Sequence, residues 1–135
     1  MDTSGWFPLV DNENAAHDRV AQALRGAVQK KSRIVTTNLV VAETHALIMR
    51  RIHRTAAIAF LREVSRAPNI VVSSTPEYEK IAEAEWLSRY ADQDFSFTDA
   101  VSFAVMSDRG IRDVLALDNH FATAGFSLLP APART

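Results

Sequence analysis

Residues 114–129 read Val-Leu-Ala-Leu-Asp-Asn-His-Phe-Ala-Thr-Ala-Gly-Phe-Ser-Leu-Leu. The apolar run 114–117 predicts a buried strand, a short helical turn is expected near 119–124, and 126–129 is apolar enough for a last strand. Strand, helix and strand in succession point to parallel pairing covered by helices. Asp118 then stands at the carboxyl end of a strand, the edge at which α/β sheets place their ligands.

The same alternation continues upstream. Residues 13–30 carry Ala16, Val20, Ala23, Leu24 and Ala27 at helical spacing, and the β-branched run 33–36 follows as a strand. Thr37 or Asn38 caps a predicted helix over 39–52, and a second amphipathic helix, 55–66, presents Ile58, Leu61 and Val64. Pro68-Asn69 breaks that helix and 70–72 reads as a strand. Thr75-Pro76-Glu77 is a strong helix start, with a cap, a proline at the first position and an acid in the first turn, and the helix runs to about Tyr90. After a polar loop at 91–94, Thr98 is expected to cap another helix, which Gly110 stops. Trp6 to Val10 reads as an apolar turn, and Pro130-Ala131-Pro132 as a tail with no core role.

With 135 residues, no repeat and no linker, the expectation is a single domain over 1–135: an α/β, three-layer α/β/α fold around a short, mainly parallel central sheet. No stretch of about eighteen residues is uniformly apolar, so no membrane span is expected. The first residues lack the basic and apolar regions of a signal peptide. Zero cysteines exclude disulfides, thiolate zinc sites and a cysteine nucleophile, and fit a reducing cytoplasm. Lys plus Arg is 15 against 16 for Asp plus Glu, so bulk charge gives no support for nucleic-acid binding; an RNA contact must come from local basic clusters or metal ions.

Four acids occupy comparable places at strand ends or helix starts: Asp2 in Asp-Thr-Ser (2–4), Glu43 in Val-Ala-Glu-Thr-His (41–45), Asp99 in Phe-Thr-Asp-Ala (97–100), and Asp118. In an alternating chain these positions can converge at one sheet edge. Converging carboxylates repel, which raises their pKa values unless a cation neutralises them. Mg²⁺ or Mn²⁺ suits such a set, because it takes carboxylate oxygens and keeps waters, one of which can attack a phosphodiester. Ser4 and Thr98, with Thr3, are supporting hydroxyls. Each acid also has an ordinary explanation, since acids are favoured at helix starts; the combination carries the argument.

That ordered set resembles the PIN-domain family, most closely the VapC-type toxins of bacterial toxin–antitoxin pairs. The matching elements are Asp2-Thr3-Ser4, Glu43 within NLVVAETHALI, Asp99 within FSFTDAVSFAVM and Asp118 within VLALDNHFATAGF, spanning essentially the whole chain. The resemblance implies a metal-dependent endoribonuclease with Asp2, Glu43, Asp99 and Asp118 as its acidic pocket. It also implies an RNA substrate (tRNA or rRNA), a small homodimer and inhibition by a cognate antitoxin. One departure stands out. In the family an apolar strand precedes the first acid, whereas only Met1 precedes Asp2 here. The expectation is a first strand truncated before Asp2, which leaves that acid the least firmly held of the four.

Arg50, Arg51 and Arg54 form a basic stretch after Glu43: either a solvated helix end or RNA phosphate contacts. No HExxH motif exists, and His17, His45 and His53 are expected to be surface or packing residues; His120, close to Asp118, is the exception. Trp86 and Tyr90, four apart, are expected to pack rather than stack on bases, and Asp92, Asp94, Asp108 and Asp113 lie outside the site. Two other functions compete: a catalytically inactive binding module of the same fold, and a metal-dependent phosphatase on small phosphate esters. A P-loop is excluded, since the four glycines never cluster.

Overall fold

The computed structural model describes residues 1–132; the last three positions of the expected domain lie outside the described residues. Asp2 caps the first helix, α1 (Thr3–Val10), by accepting from the Ser4 backbone N–H. The segment expected as an apolar turn is therefore helical. Trp6 is buried on it, edge-on to Phe60, and its indole N–H donates to Thr36 Oγ1. Next come α2 (His17–Gln29), β1 (Ile34–Thr37), α3 (Asn38–Arg51), α4 (Arg54–Val64) and β2 (Asn69–Val72). Thr37 caps α3 through the Val40 N–H, as its sequence position predicts. On α4 the buried face is Ala57, Phe60 and Val64, with Leu61 exposed, so the stripe runs about one residue ahead of the one expected.

Thr75 caps α5 (Pro76–Ile81), which continues as a π-helical segment over Ala82–Ser88. The wider turn keeps Trp86 and Tyr90 on one side, stacked on each other, with Trp86 against Phe103 and Phe126. Helix α6 (Phe97–Arg109) is buried from Asp99 through Met106 and ends at Gly110, whose positive φ of 67° supplies the left-handed stop. Then follow β3 (Asp113–Leu115), α7 (Asn119–Thr123) and β4 (Ser127–Leu129).

All strand pairing is parallel, but it falls into two pairs rather than one continuous sheet. β1 pairs with β2, Ile34 opposite Asn69 through Thr37 opposite Val72. β3 pairs with β4, Asp113 opposite Ser127 through Leu115 opposite Leu129. The backbone of the first two residues joins the halves: the Met1 amino group donates to Val35 O, and Asp2 N–H donates to Leu115 O at 3.0 Å. Beyond Met1, between β1 and β3, lies a cavity of about 640 Å³ walled by Ile34, Val35, Val114 and Leu115, with Ala27 of α2 and Val105 of α6 on its two faces. The apolar strand expected ahead of Asp2 would lie there. Burial lowers the Met1 ammonium pKa from 8.0 to about 6, against the pull of the Asp2 carboxylate.

Gly5 lets α1 settle directly on β3. A Cβ at that position would come 2.4 Å from Leu115 O, closer than any side chain tolerates. A buried hydrogen bond from Thr44 to Thr3 ties α1 to α3. These two contacts set the height of α1, and hence of Asp2, at the sheet's carboxyl edge.

Candidate active site

Asp2, Glu43, Asp99 and Asp118 line one cleft of about 340 Å³ at the carboxyl ends of β1 and β3, together with Ser4 and Leu47. Asp2 is buried, Asp99 nearly so, Asp118 half-buried and Glu43 exposed. The expectation that Asp2 would be loosely held does not match its surroundings. Its N–H donates to Leu115 O, and its Oδ2 accepts from Ser4 N at 3.1 Å and Ser4 Oγ at 2.7 Å.

Ser4 does more than support one carboxylate. While its hydroxyl donates to Asp2, its oxygen accepts from the backbone N–H of Leu117 (2.9 Å) and of Asp118 (3.2 Å). The hydroxyl thus binds the chain that carries Asp118 to the helix that carries Asp2. Asp118 lies beyond the observed strand, which ends at Leu115, and caps α7 by accepting from His120 N at 2.9 Å.

Asp99 is held by a capping box. Ser96 Oγ accepts from Asp99 N at 3.0 Å and Asp99 Oδ2 accepts from Ser96 N at 3.2 Å. The cap expected at Thr98 is therefore Ser96, and Thr98 sits half-buried at the second helical position. The signal was present in the sequence, as Ser-x-x-Asp at 96–99 has capping-box spacing.

Glu43 comes from the middle of α3. Leu47, one turn on, lines the same cleft, and Arg50, seven residues from Glu43, falls on the same helix face. Arg51 ends α3 and Arg54 begins α4, both exposed. Among the described residues, no carboxylate lies within ion-pair distance of Arg50, Arg51 or Arg54.

Burial pushes the Asp2 carboxyl above its ordinary value of 3.8; the Ser4 hydrogen bonds oppose this and the Asp99 charge adds to it. A buried carboxylate facing other carboxylates is a cost that a divalent cation relieves. The donor chemistry fits such an ion: one atom each of Asp99, Asp118 and His120 lie within 4.8 Å of one another. His120 is the member that the four-acid reading left aside, although it stands two residues from Asp118.

The PIN domain family model matches residues 1–127. The 23S rRNA-specific endonuclease VapC20 of Mycobacterium tuberculosis, in strains CDC 1551 / Oshkosh and H37Rv, is 38% identical over 130 residues, covering 93% of each chain. The crystal structure of Mycobacterium tuberculosis VapC20, described as a Sarcin-Ricin loop cleaving toxin, matches with a TM-score of 0.82 and 34% identity over 93% of both chains. On the family match and this relative, the chain belongs to the PIN-domain family.

Proposed function

We propose that this protein is a metal-dependent endoribonuclease and the toxin of a toxin–antitoxin pair, acting in the cytoplasm on a structured RNA. The observation that carries this reading is the meeting of Asp2, Glu43, Asp99 and Asp118 in one cleft at the carboxyl edge of the strands. Likeness to an rRNA endonuclease over 93% of the chain favours a ribosomal RNA stem-loop over tRNA. No helix among the described residues is long and apolar enough to cross a membrane.

Asp2, Asp99 and Asp118 would hold the ion, with Glu43 binding it directly or orienting a water. When bound, Mg²⁺ or Mn²⁺ polarises the phosphoryl oxygen and lowers the pKa of a water that attacks phosphorus. The remaining work belongs to the chain. Ser4 fixes Asp2 relative to Asp118, and the Ser96 capping box fixes Asp99. Glu43, the exposed acid of the set, would bind the ion or hold a water on it. Arg50, on the Glu43 face of α3, and Arg51 and Arg54 beyond it supply positive charge for the phosphates flanking the cut. Attack by water leaves a 5′-phosphate and a 3′-hydroxyl. Homodimer and antitoxin contacts belong to the same reading; α3 and α4 leave Met49 and Leu61 exposed, apolar surface that such contacts can cover.

The test is cleavage of a synthetic sarcin–ricin stem-loop and of a mixed RNA pool, with Mn²⁺, with EDTA and with Asp99→Asn or Asp118→Asn. Loss of several kcal/mol of charge stabilisation predicts a fall of about a hundredfold or more in each variant. Full-rate cleavage by Asp99→Asn would overturn the reading. Metal binding without cleavage of any RNA would move it to the inactive binding module, and preference for a small phosphate ester to the phosphatase.

A further inference from the structure

The fit of His120 to the two carboxylates beside it carries more than a packing role. Asp118 accepts from the His120 N–H and so fixes this residue in the first turn of α7. The ring turns back over the cleft, with Nδ1 3.1 Å from Asp99 Oδ2 and 3.5 Å from Asp118 Oδ1. Phe95 meets it edge-on at 5.5 Å between centroids, which holds the imidazole from the side. The His120 side chain is 35% exposed, so water and ions reach it, while Asp99 at 10% is nearly enclosed.

We propose that His120 is a nitrogen ligand of the divalent cation at this centre and that it biases the site toward Mn²⁺ over Mg²⁺. The proposal rests on the metal-dependent reading above. One donor atom from each of Asp99, Asp118 and His120 lies within a sphere small enough for a single ion to gather. Asp2 and Glu43, which line the same cleft, offer oxygen alone. Mg²⁺ is hard, keeps its waters and gains little by exchanging one for imidazole. Mn²⁺ also takes oxygen donors, but as a first-row transition ion it accepts an imidazole nitrogen more readily than Mg²⁺ does. A mixed nitrogen and oxygen set therefore separates the two ions further than an all-carboxylate site does.

A different role for His120 predicts the opposite sign. An imidazolium paired with Asp99 would repel a cation, so its removal would tighten both metals together. A ring that only orients Asp99 by a hydrogen bond would leave no nitrogen on the metal.

The experiment is Mn²⁺ and Mg²⁺ titration of the purified protein, of His120→Ala and of His120→Asn. Calorimetry reads affinity, and pulsed electron paramagnetic resonance of the Mn²⁺-loaded wild type reads nitrogen coupling. The expected result is imidazole ¹⁴N modulation in the wild type, absent from both variants. Mn²⁺ binding should weaken by roughly tenfold or more, the scale on which metal-site contacts act, with Mg²⁺ changed by about twofold or less. A wild-type Mn²⁺ spectrum without nitrogen coupling overturns the proposal even if the variants fail to fold, and so does a variant that binds Mn²⁺ as tightly as the parent. If Mn²⁺ binds without nitrogen coupling and RNA is still cleaved, the His120 ligand is wrong and the nuclease reading stands. If neither metal binds, both are wrong.

Discussion

The two openings on either side of Met1-Asp2 are built on opposite principles. Toward the carboxyl edge, the acidic cleft is fastened at almost every point: Asp2 to Leu115, Ser4 to Leu117 and Asp118, Asp99 to Ser96, Asp118 to His120. Toward β1 and β3, the cavity of about 640 Å³ is lined mostly by apolar surface, and among the described residues β1 pairs with β2 alone and β3 with β4 alone. Two residues of backbone serve both. A charged group that costs stability can be held rigidly when every neighbouring polar atom is paired, while an apolar space stays weak because nothing directional fills it.

The largest expected effect comes from filling the weaker region. An engineered Val-Ile-Leu-Val extension ahead of Met1 should raise the unfolding free energy by about 3 kcal/mol, as each buried aliphatic side chain contributes roughly 1.5–3 kcal/mol before ordering costs. A Ser-Gly-Ser-Gly extension should give no such gain in chemical denaturation. Equal midpoints for the two would mean that the cavity does not seat a strand.

The extended protein and its unextended parent sharpen the comparison through pH. The Met1 ammonium has its pKa lowered from 8.0 to about 6 in the folded state, so as pH falls the unfolded chain takes up this proton first. The Met1 contribution to stability is therefore full above pH 8, is lost between 8 and about 6, and is flat below that. Asp2 acts in the other sense: its raised pKa means that its contribution declines as pH rises above 3.8. Both extended and parent proteins contain Asp2, so the difference between their pH profiles isolates Met1. That difference should widen from pH 8 to pH 6, and a constant offset would refute the buried ammonium.

Gly5→Ala tests the joint between the two regions. Its Cβ would meet Leu115 O at 2.4 Å, backbone that cannot swing aside, so α1 must lift from β3. Overpacking of this kind costs about 1–3 kcal/mol. Because Asp2 moves with α1, Mn²⁺ affinity should fall along with the melting temperature. A stability loss with unchanged metal binding would separate the helix from the site.

Ser4→Ala is milder in stability and sharper in function. It leaves the Leu117 and Asp118 N–H groups without their acceptor, worth about 1–2 kcal/mol. RNA cleavage at a temperature where the variant is fully folded should drop further than its stability loss explains, with metal affinity reduced. The smallest effect belongs to Asp2→Asn. Removing a buried charge should stabilise the metal-free protein by about 1 kcal/mol or less while weakening Mn²⁺ binding. Destabilisation without metal would mean that the Asp2 charge is compensated within the fold.

Much of the secondary structure was legible because its signals are local. Thr37 caps α3, Thr75-Pro76 opens α5, and Gly110 stops α6 at the expected place. Where the expectation went astray, a stronger or longer-range term prevailed. Trp6 to Val10 read as an apolar turn, yet the Asp2 cap and the burial of Trp6 hold a helix over Thr3–Val10. Thr98 was read as a cap although Ser96, with Asp99 three residues on, offered a reciprocal pair of bonds. The π-helical segment at Ala82–Ser88 has no signal in apolar periodicity, because its aromatic packing is set by Phe103 of α6 and by Phe126 just ahead of β4.

By itself the sequence determined the alternation of strand and helix and singled out four candidate acids, since caps, periodicity and residue type act over a few positions. It could not determine that Ser4 joins residues 2 and 118, that Gly5 admits a strand carbonyl, or that His120 faces Asp99. Those relations link positions up to 114 apart in the chain. They exist only once α1, β3 and α7 have packed, because a hydrogen bond of 3 Å cannot be inferred from the preferences of either partner alone.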